Sequence, residues 1–157
     1  MEKALGDVLR EEGFRKEGQS KWIRRVGETV QVAYLQRSQF AHEYFIEAGI
    51  CQEKDIPAGR KPDVVYCRFE DRARIEHIIE ELEKARRNED ETSIKEKKDK
   101  VITALDFEAP GARKSTPGEY FVPSVSMEQA DTNIETIQKT VKEYVPEWFE
   151  KRFQRSH

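Results

Sequence analysis

The sequence predicts an α+β domain: an antiparallel four-stranded meander sheet, an N-terminal helix, and two to three C-terminal helices packed on one face of the sheet. Three observations predict it. Between Gln19 and Phe69 the chain alternates apolar and polar residues in short runs. Those runs are joined by connections too short for a parallel crossover, which forces antiparallel neighbours. On either side of them, apolar residues recur at the three- and four-residue spacing of helices.

At the N-terminus, Leu5, Val8 and Leu9 fall on one face of a short helix from about Glu2 to Glu12, and Gly13 is the residue suited to end it. The first strand is predicted over Gln19 to Val26, followed by a tight turn at Gly27-Glu28. The second, Thr29 to Gln36, places Val30, Val32 and Tyr34 on one face. The third, His42 to Ile50, does the same with Tyr44, Ile46, Ala48 and Ile50. Ile56 to Arg60 reads as a Pro/Gly turn, and Val64 to Phe69 as a fourth strand. A hairpin centred near Gly59 would set Cys51 opposite Cys67, two residues expected as reduced thiols in a half-buried sheet, with a regulatory disulfide as the alternative.

Beyond Phe69 the pattern changes. Ile75, Ile78, Ile79 and Leu82 form one helical stripe. A charged helical insert spans about 85–100, and Ser93 with Glu96 reads as a capping box opening a helix that runs to about Leu105. Residues 106–118 hold two prolines and two glycines and read as a long loop. Ser126 to Gln129 is a second capping signal. It opens a helix whose stripe is Met127, Ala130, Ile134, Ile137, Val141, Tyr144 and Trp148, with Pro146 expected to kink or restart it. With 157 residues, the whole chain, 1–157, reads as a single domain.

Composition narrows function. The 28 basic and 31 acidic residues leave a formal charge of −3, which argues against a dedicated duplex-DNA binder. No apolar run approaches the ~20 residues of a membrane span, and the charged N-terminus does not resemble a signal peptide, so a cytoplasmic protein is expected. No Gly-rich phosphate loop or nucleophile elbow is present. The histidines, His42, His77 and His157, lack metal-ligand spacing. No catalytic residue, metal site or cofactor is therefore assigned.

One polar constellation stands out. Gly13 to Arg37 carries six basic residues (Arg15, Lys16, Lys21, Arg24, Arg25 and Arg37) against Glu17 and Glu28, with aromatic residues interleaved. Trp22, Arg24, Tyr34, Gln36, Arg37, Ser38, Gln39 and Tyr44 are the candidate binding residues, because Arg, Gln and aromatic side chains combine contact area with directional bonds. The competing reading is structural: aromatic residues completing the core, and Arg and Lys guarding sheet edges. The functional expectation is a non-enzymatic binding domain with a protein partner or a second copy of itself, immunity- or antitoxin-like in character. Single-stranded nucleic acid is the alternative, followed by an enzyme with an unfamiliar site.

At these residues the sequence resembles the DUF4304 domain family, uncharacterised bacterial domains. The resemblance is carried by Gly13-Phe14-Arg15-Lys16-Glu17-Gly18, Trp22-Ile23-Arg24 and Gln36-Arg37-Ser38. It continues in Phe45 to Ile50, in Cys67 with Arg74-Ile75, and in Val145-Pro146-Glu147-Trp148. The insert from about Ala85 to Lys100 has no counterpart in that pattern. The resemblance implies a compact α+β domain and no established activity.

Overall fold

The computed structural model describes residues 1–37, 44–86, 90–106 and 126–155. Helix α1, Glu2–Glu11, leads into a sheet of β1 (Arg15–Lys16), β2 (Lys21–Val26), β3 (Thr29–Arg37), β4 (Tyr44–Gln52) and β5 (Arg72–Arg74). Helices α2 (Ile75–Arg86), α3 (Glu91–Leu105) and α4 (Met127–Arg155) follow. The sheet is an antiparallel meander in the order β1-β2-β3-β4-β5. The α+β architecture is the one the sequence predicts, with five strands in place of four.

The end of α1 shows how sequence sets local structure. Gly13 takes φ +81, so its N–H reaches the Arg10 carbonyl at 3.0 Å while that of Phe14 reaches Leu9 at 3.0 Å. This pair of bonds closes the helix and turns Phe14 inward, where it is buried against Phe149 of α4 with ring centroids 5.4 Å apart. Gly27, φ +60, makes the turn that pairs Val26 with Thr29.

Alternation then divides the sheet. Trp22, Ala33, Leu35, Ile46, Ala48 and Ile50 face the helices and form one core with α1, α2 and α4, while α3 adds Val101, Ala104 and Leu105. The α2 stripe is buried as expected, as is that of α4 from Ala130 to Trp148, although Met127 is exposed. α4 runs unbroken through Pro146, so the chain does not restart there.

Val30, Val32 and Tyr34 share a face, but it is the opposite one. Here the structure corrects the expected fourth strand and shows what covers this face. Val64 to Phe69 is not a strand: Val64–Tyr66 and Phe69–Asp71 are single 3-10 turns, and the strand beside β4 is the short Arg72–Arg74. The Asp63 carboxylate accepts the Val65 N–H at 3.3 Å, a local bond that competes with a ladder. Burial then falls on Val64 and Cys67, three apart, while Val65 and Phe69 are exposed. Nor is the second face left open. Val64 and Cys67 close over Ile23, Val30, Val32 and Cys51 to make a second, smaller core, so β3 is buried on both sides.

The charged insert resolves into the end of α2 and the start of α3. The α3 cap is Asp90, whose carboxylate accepts the Ser93 N–H at 2.8 Å, so the helix opens earlier than the Ser93 capping box predicts. At α4 the Ser126 hydroxyl does accept the Gln129 N–H, at 3.1 Å. Most of the expected 106–118 loop lies outside the described residues.

Candidate functional site

Where β3 ends and β4 begins, Tyr34 and Tyr44 bring the edges of the two cores to the end of the sheet. A cleft of about 450 Å³ opens there, lined by Met1, Glu2, Gln19, Ser20, Tyr34, Leu35, Arg37 and Tyr44. Register builds it: Arg37 is paired with Tyr44 across β3 and β4. Tyr34 rests against the smaller core and Tyr44 against the larger. From the other side, the turn into β2 brings Gln19 and Ser20, and the first residues of α1 bring Glu2.

Ser20 is the one described non-glycine residue with positive φ, at +57. Left-handed backbone costs a β-carbon residue about 1–2 kcal/mol. The conformation lets the Ser20 carbonyl accept the Leu35 N–H at 2.9 Å, extending the β2–β3 ladder into the cleft wall. Ser20 also hydrogen-bonds Glu2. Lys16, with Nζ 2.5 Å from the Glu2 carboxylate, is the main reason its carboxyl is held below the usual range. Glu2 therefore stays ionised at neutral pH and is a weak proton acceptor, suited to holding a donor more than to general-base work. On the far side of Tyr34, the Lys21 ammonium stands 5.4 Å from the ring centroid and pairs with Asp63.

Of the sequence-nominated residues, the cleft gathers Tyr34, Arg37 and Tyr44. Ser38 and Gln39 lie outside the described residues. Gln36 is exposed on the Tyr34 face of β3, paired with Phe45, and does not line the cleft. Trp22 is 2 % exposed and packs its indole on Gly6 of α1. Arg24 is a clamp between α1 and the sheet: Nε donates to the buried Gln31 side chain at 2.7 Å and one terminal nitrogen to the Glu12 carbonyl at 2.7 Å, with the guanidinium 4.8 Å above Phe14. Glu2, Gln19 and Ser20 were missed. Glu2 reads as an ordinary first-turn acid of a helix, and only the Gly18-Gln19-Ser20 turn composition hints at unusual backbone.

Three of the six basic residues around the hairpin are matched by carboxylates. Lys16 pairs with Glu2, Lys21 with Asp63, and Arg25 with Glu53 at 3.3 Å and Glu17 at 3.8 Å. A second groove of about 420 Å³ lies between α3 and α4, lined in part by Lys97, Lys139 and Thr132, Thr136 and Thr140. Its threonine hydroxyls donate to their own helix, at 2.9, 2.9 and 2.8 Å, leaving few directional donors for a ligand. Among the described residues, no group of three His, Cys, Asp or Glu side chains is placed to hold a metal ion. No described helix is long and apolar enough to cross a membrane.

Comparison with curated proteins and with solved structures finds no match. A family model described as "Domain of unknown function (DUF4304)" matches residues 5–110, from α1 through α3, and includes the cleft's lining residues other than Met1 and Glu2. The chain thus belongs to the DUF4304 family.

Proposed function

We propose that this domain is a non-enzymatic protein-binding module that seats a segment of its partner in the cleft at the end of β3 and β4. The observation that carries the reading is the convergence of Tyr34, Arg37 and Tyr44 with Glu2 and Ser20 around one recess. Two phenol rings offer area with little entropy to lose, and Glu2, Gln19 and Ser20 set polar groups around them. The segment that fits is a polypeptide stretch with a polar side chain next to an apolar one. Holding a second protein inactive, as an immunity protein or antitoxin does, is one form this role takes.

Single-stranded nucleic acid fits less well, because Lys16, Lys21 and Arg25, three of the six cations that would meet phosphates, are already matched by Glu2, Asp63, Glu17 and Glu53.

Affinity capture with the full chain identifies the partner, and calorimetry with both purified proteins then tests the site. Arg37→Glu and Tyr44→Ala are each expected to weaken the complex about tenfold or more, an energy of about 1.4 kcal/mol. Arg15→Glu, on β1 and away from the cleft, should leave it unchanged. A complex indifferent to both cleft substitutions refutes the assignment, as does a chain that captures no partner.

A further inference from the structure

The chain's two cysteines, Cys51 and Cys67, are drawn from distant stretches into the second core, where they are 4 % and 7 % exposed. Gly49 and Cys51 share a face of β4. A β-carbon built on Gly49 would lie 2.8 Å from Cys67 Sγ and 3.3 Å from Cys67 Cβ. The missing side chain at Gly49 is thus the seat that lets Cys67 settle onto the strand beside Cys51. Cys51 Sγ lies 3.7 Å from the Val30 carbonyl and Cys67 Sγ 3.8 Å from that of Asp63, and the Cys67 thiol is near enough to donate to a Cys51 thiolate. A cysteine that merely fills apolar space needs neither a glycine beneath it nor a second thiol beside it.

We infer that Cys51 and Cys67 are a redox-active dithiol, closed by a peroxide into an intramolecular disulfide that staples the covering segment of residues 53–66 to the sheet. Cys51 is the attacking sulfur, because the hydrogen bond from Cys67 draws its ionisation down, while that same bond and burial push the Cys67 thiol up. The Cys51 thiolate attacks one peroxide oxygen. The O–O bond breaks, hydroxide leaves and becomes water, and Cys51 becomes a sulfenic acid. Cys67 sulfur then attacks Cys51 sulfur, the S–O bond breaks, and a second water departs. Two thiols and one hydrogen peroxide yield one disulfide and two waters, a two-electron oxidation. Access is through local opening of the cover, which among the described residues has no ladder of its own and holds to the sheet by side-chain packing, the Lys21–Asp63 and Arg25–Glu53 pairs, and at its start the Glu53 N–H donated to the Glu28 carbonyl at 2.8 Å.

Full-length protein treated with hydrogen peroxide is followed by thiol titration, intact mass and non-reducing electrophoresis. Both thiols should disappear together, with loss of two hydrogens, the product remaining monomeric and reverting with dithiothreitol. Cys67→Ser should accumulate a sulfenic acid at Cys51 that dimedone traps, whereas Cys51→Ser should leave Cys67 unmodified. Gly49→Ala, which keeps both thiols but moves the seat, should slow closure on the order of tenfold. Disulfide-linked dimers, independent oxidation of each sulfur to sulfinic or sulfonic acid, or reaction only in urea would each overturn the inference. So would Gly49→Ala closing at the wild-type rate.

Discussion

Replacing Glu83 with alanine should be among the most destabilising single changes in the helical layer. Glu83 of α2 is 2 % exposed and charged. Its carboxylate accepts the Tyr144 hydroxyl at 2.7 Å and Arg86 at 2.8 Å, and pairs with Lys97 at 3.3 Å, so one side chain ties α2 to α3 and α4. The partners are not equally exposed to its loss. Arg86 keeps Glu143 and Glu147, and Lys97, 36 % exposed, can turn to water. Tyr144 is 3 % exposed and has nowhere to go. An orphaned buried hydroxyl costs about 1–3 kcal/mol, and removing one member of a buried charge group costs about 3–5 kcal/mol. The alternatives open to Arg86 and Lys97 place Glu83→Ala near the lower part of that range, about 2–4 kcal/mol. Glu83→Gln keeps an acceptor for Tyr144 and should cost about 1 kcal/mol. Tyr144→Phe added to Glu83→Ala removes the orphan, so the double variant should be no less stable than the single one. Urea denaturation with a constant m-value reads all three. Glu83→Ala within about 0.5 kcal/mol of wild type, or a double variant less stable than Glu83→Ala, would refute the reasoning.

Gly6→Ala sets a β-carbon 2.9 Å from the Trp22 indole nitrogen and should cost about 1–3 kcal/mol, with a change in Trp fluorescence; an unchanged denaturation midpoint would sink it. Asp90→Ala removes the α3 cap and should cost about 1 kcal/mol, more than Ser93→Ala, an order that thermal denaturation checks. Hydrogen bonds from Lys84 and Lys98 lower the Glu80 pKa to about 2 from an ordinary 4.5. A carboxyl depressed on folding stabilises above its unfolded value, and that support drains away as pH falls from about 4.5 towards 2. Glu80→Gln should therefore flatten the melting temperature between those pH values. Parallel curves for the two proteins would count against the Glu80 ion pairs as a source of acid sensitivity.

Some features were legible because a short pattern suffices to fix them. The β2–β3 hairpin needs only alternation and a Gly27 turn, and α2 needs only Ile75, Ile78, Ile79 and Leu82 on one face. Val64 to Cys67 misled for the same reason: its β-branched and aromatic composition is that of a strand, while the Asp63 side chain that turns it into a 3-10 turn leaves no periodic mark. The candidate residues divided similarly. Trp22 and Arg24 have interface-like chemistry, yet one is spent on packing against Gly6 and the other on bonding Gln31 and the end of α1.

What the sequence determined alone is the set of elements with internal periodicity, their antiparallel order, and the faces they bury, since each follows from neighbours a few residues apart. Tertiary structure decided that Val64 and Cys67 cover the second face, that Glu2 and Ser20 join Tyr34, Arg37 and Tyr44, and that Cys67 approaches Cys51 from a 3-10 turn and not from the paired strand that spacing about Gly59 suggests. Those outcomes rest on contacts between segments far apart in the chain, whose energies depend on shape and pairing in space and leave no period to read.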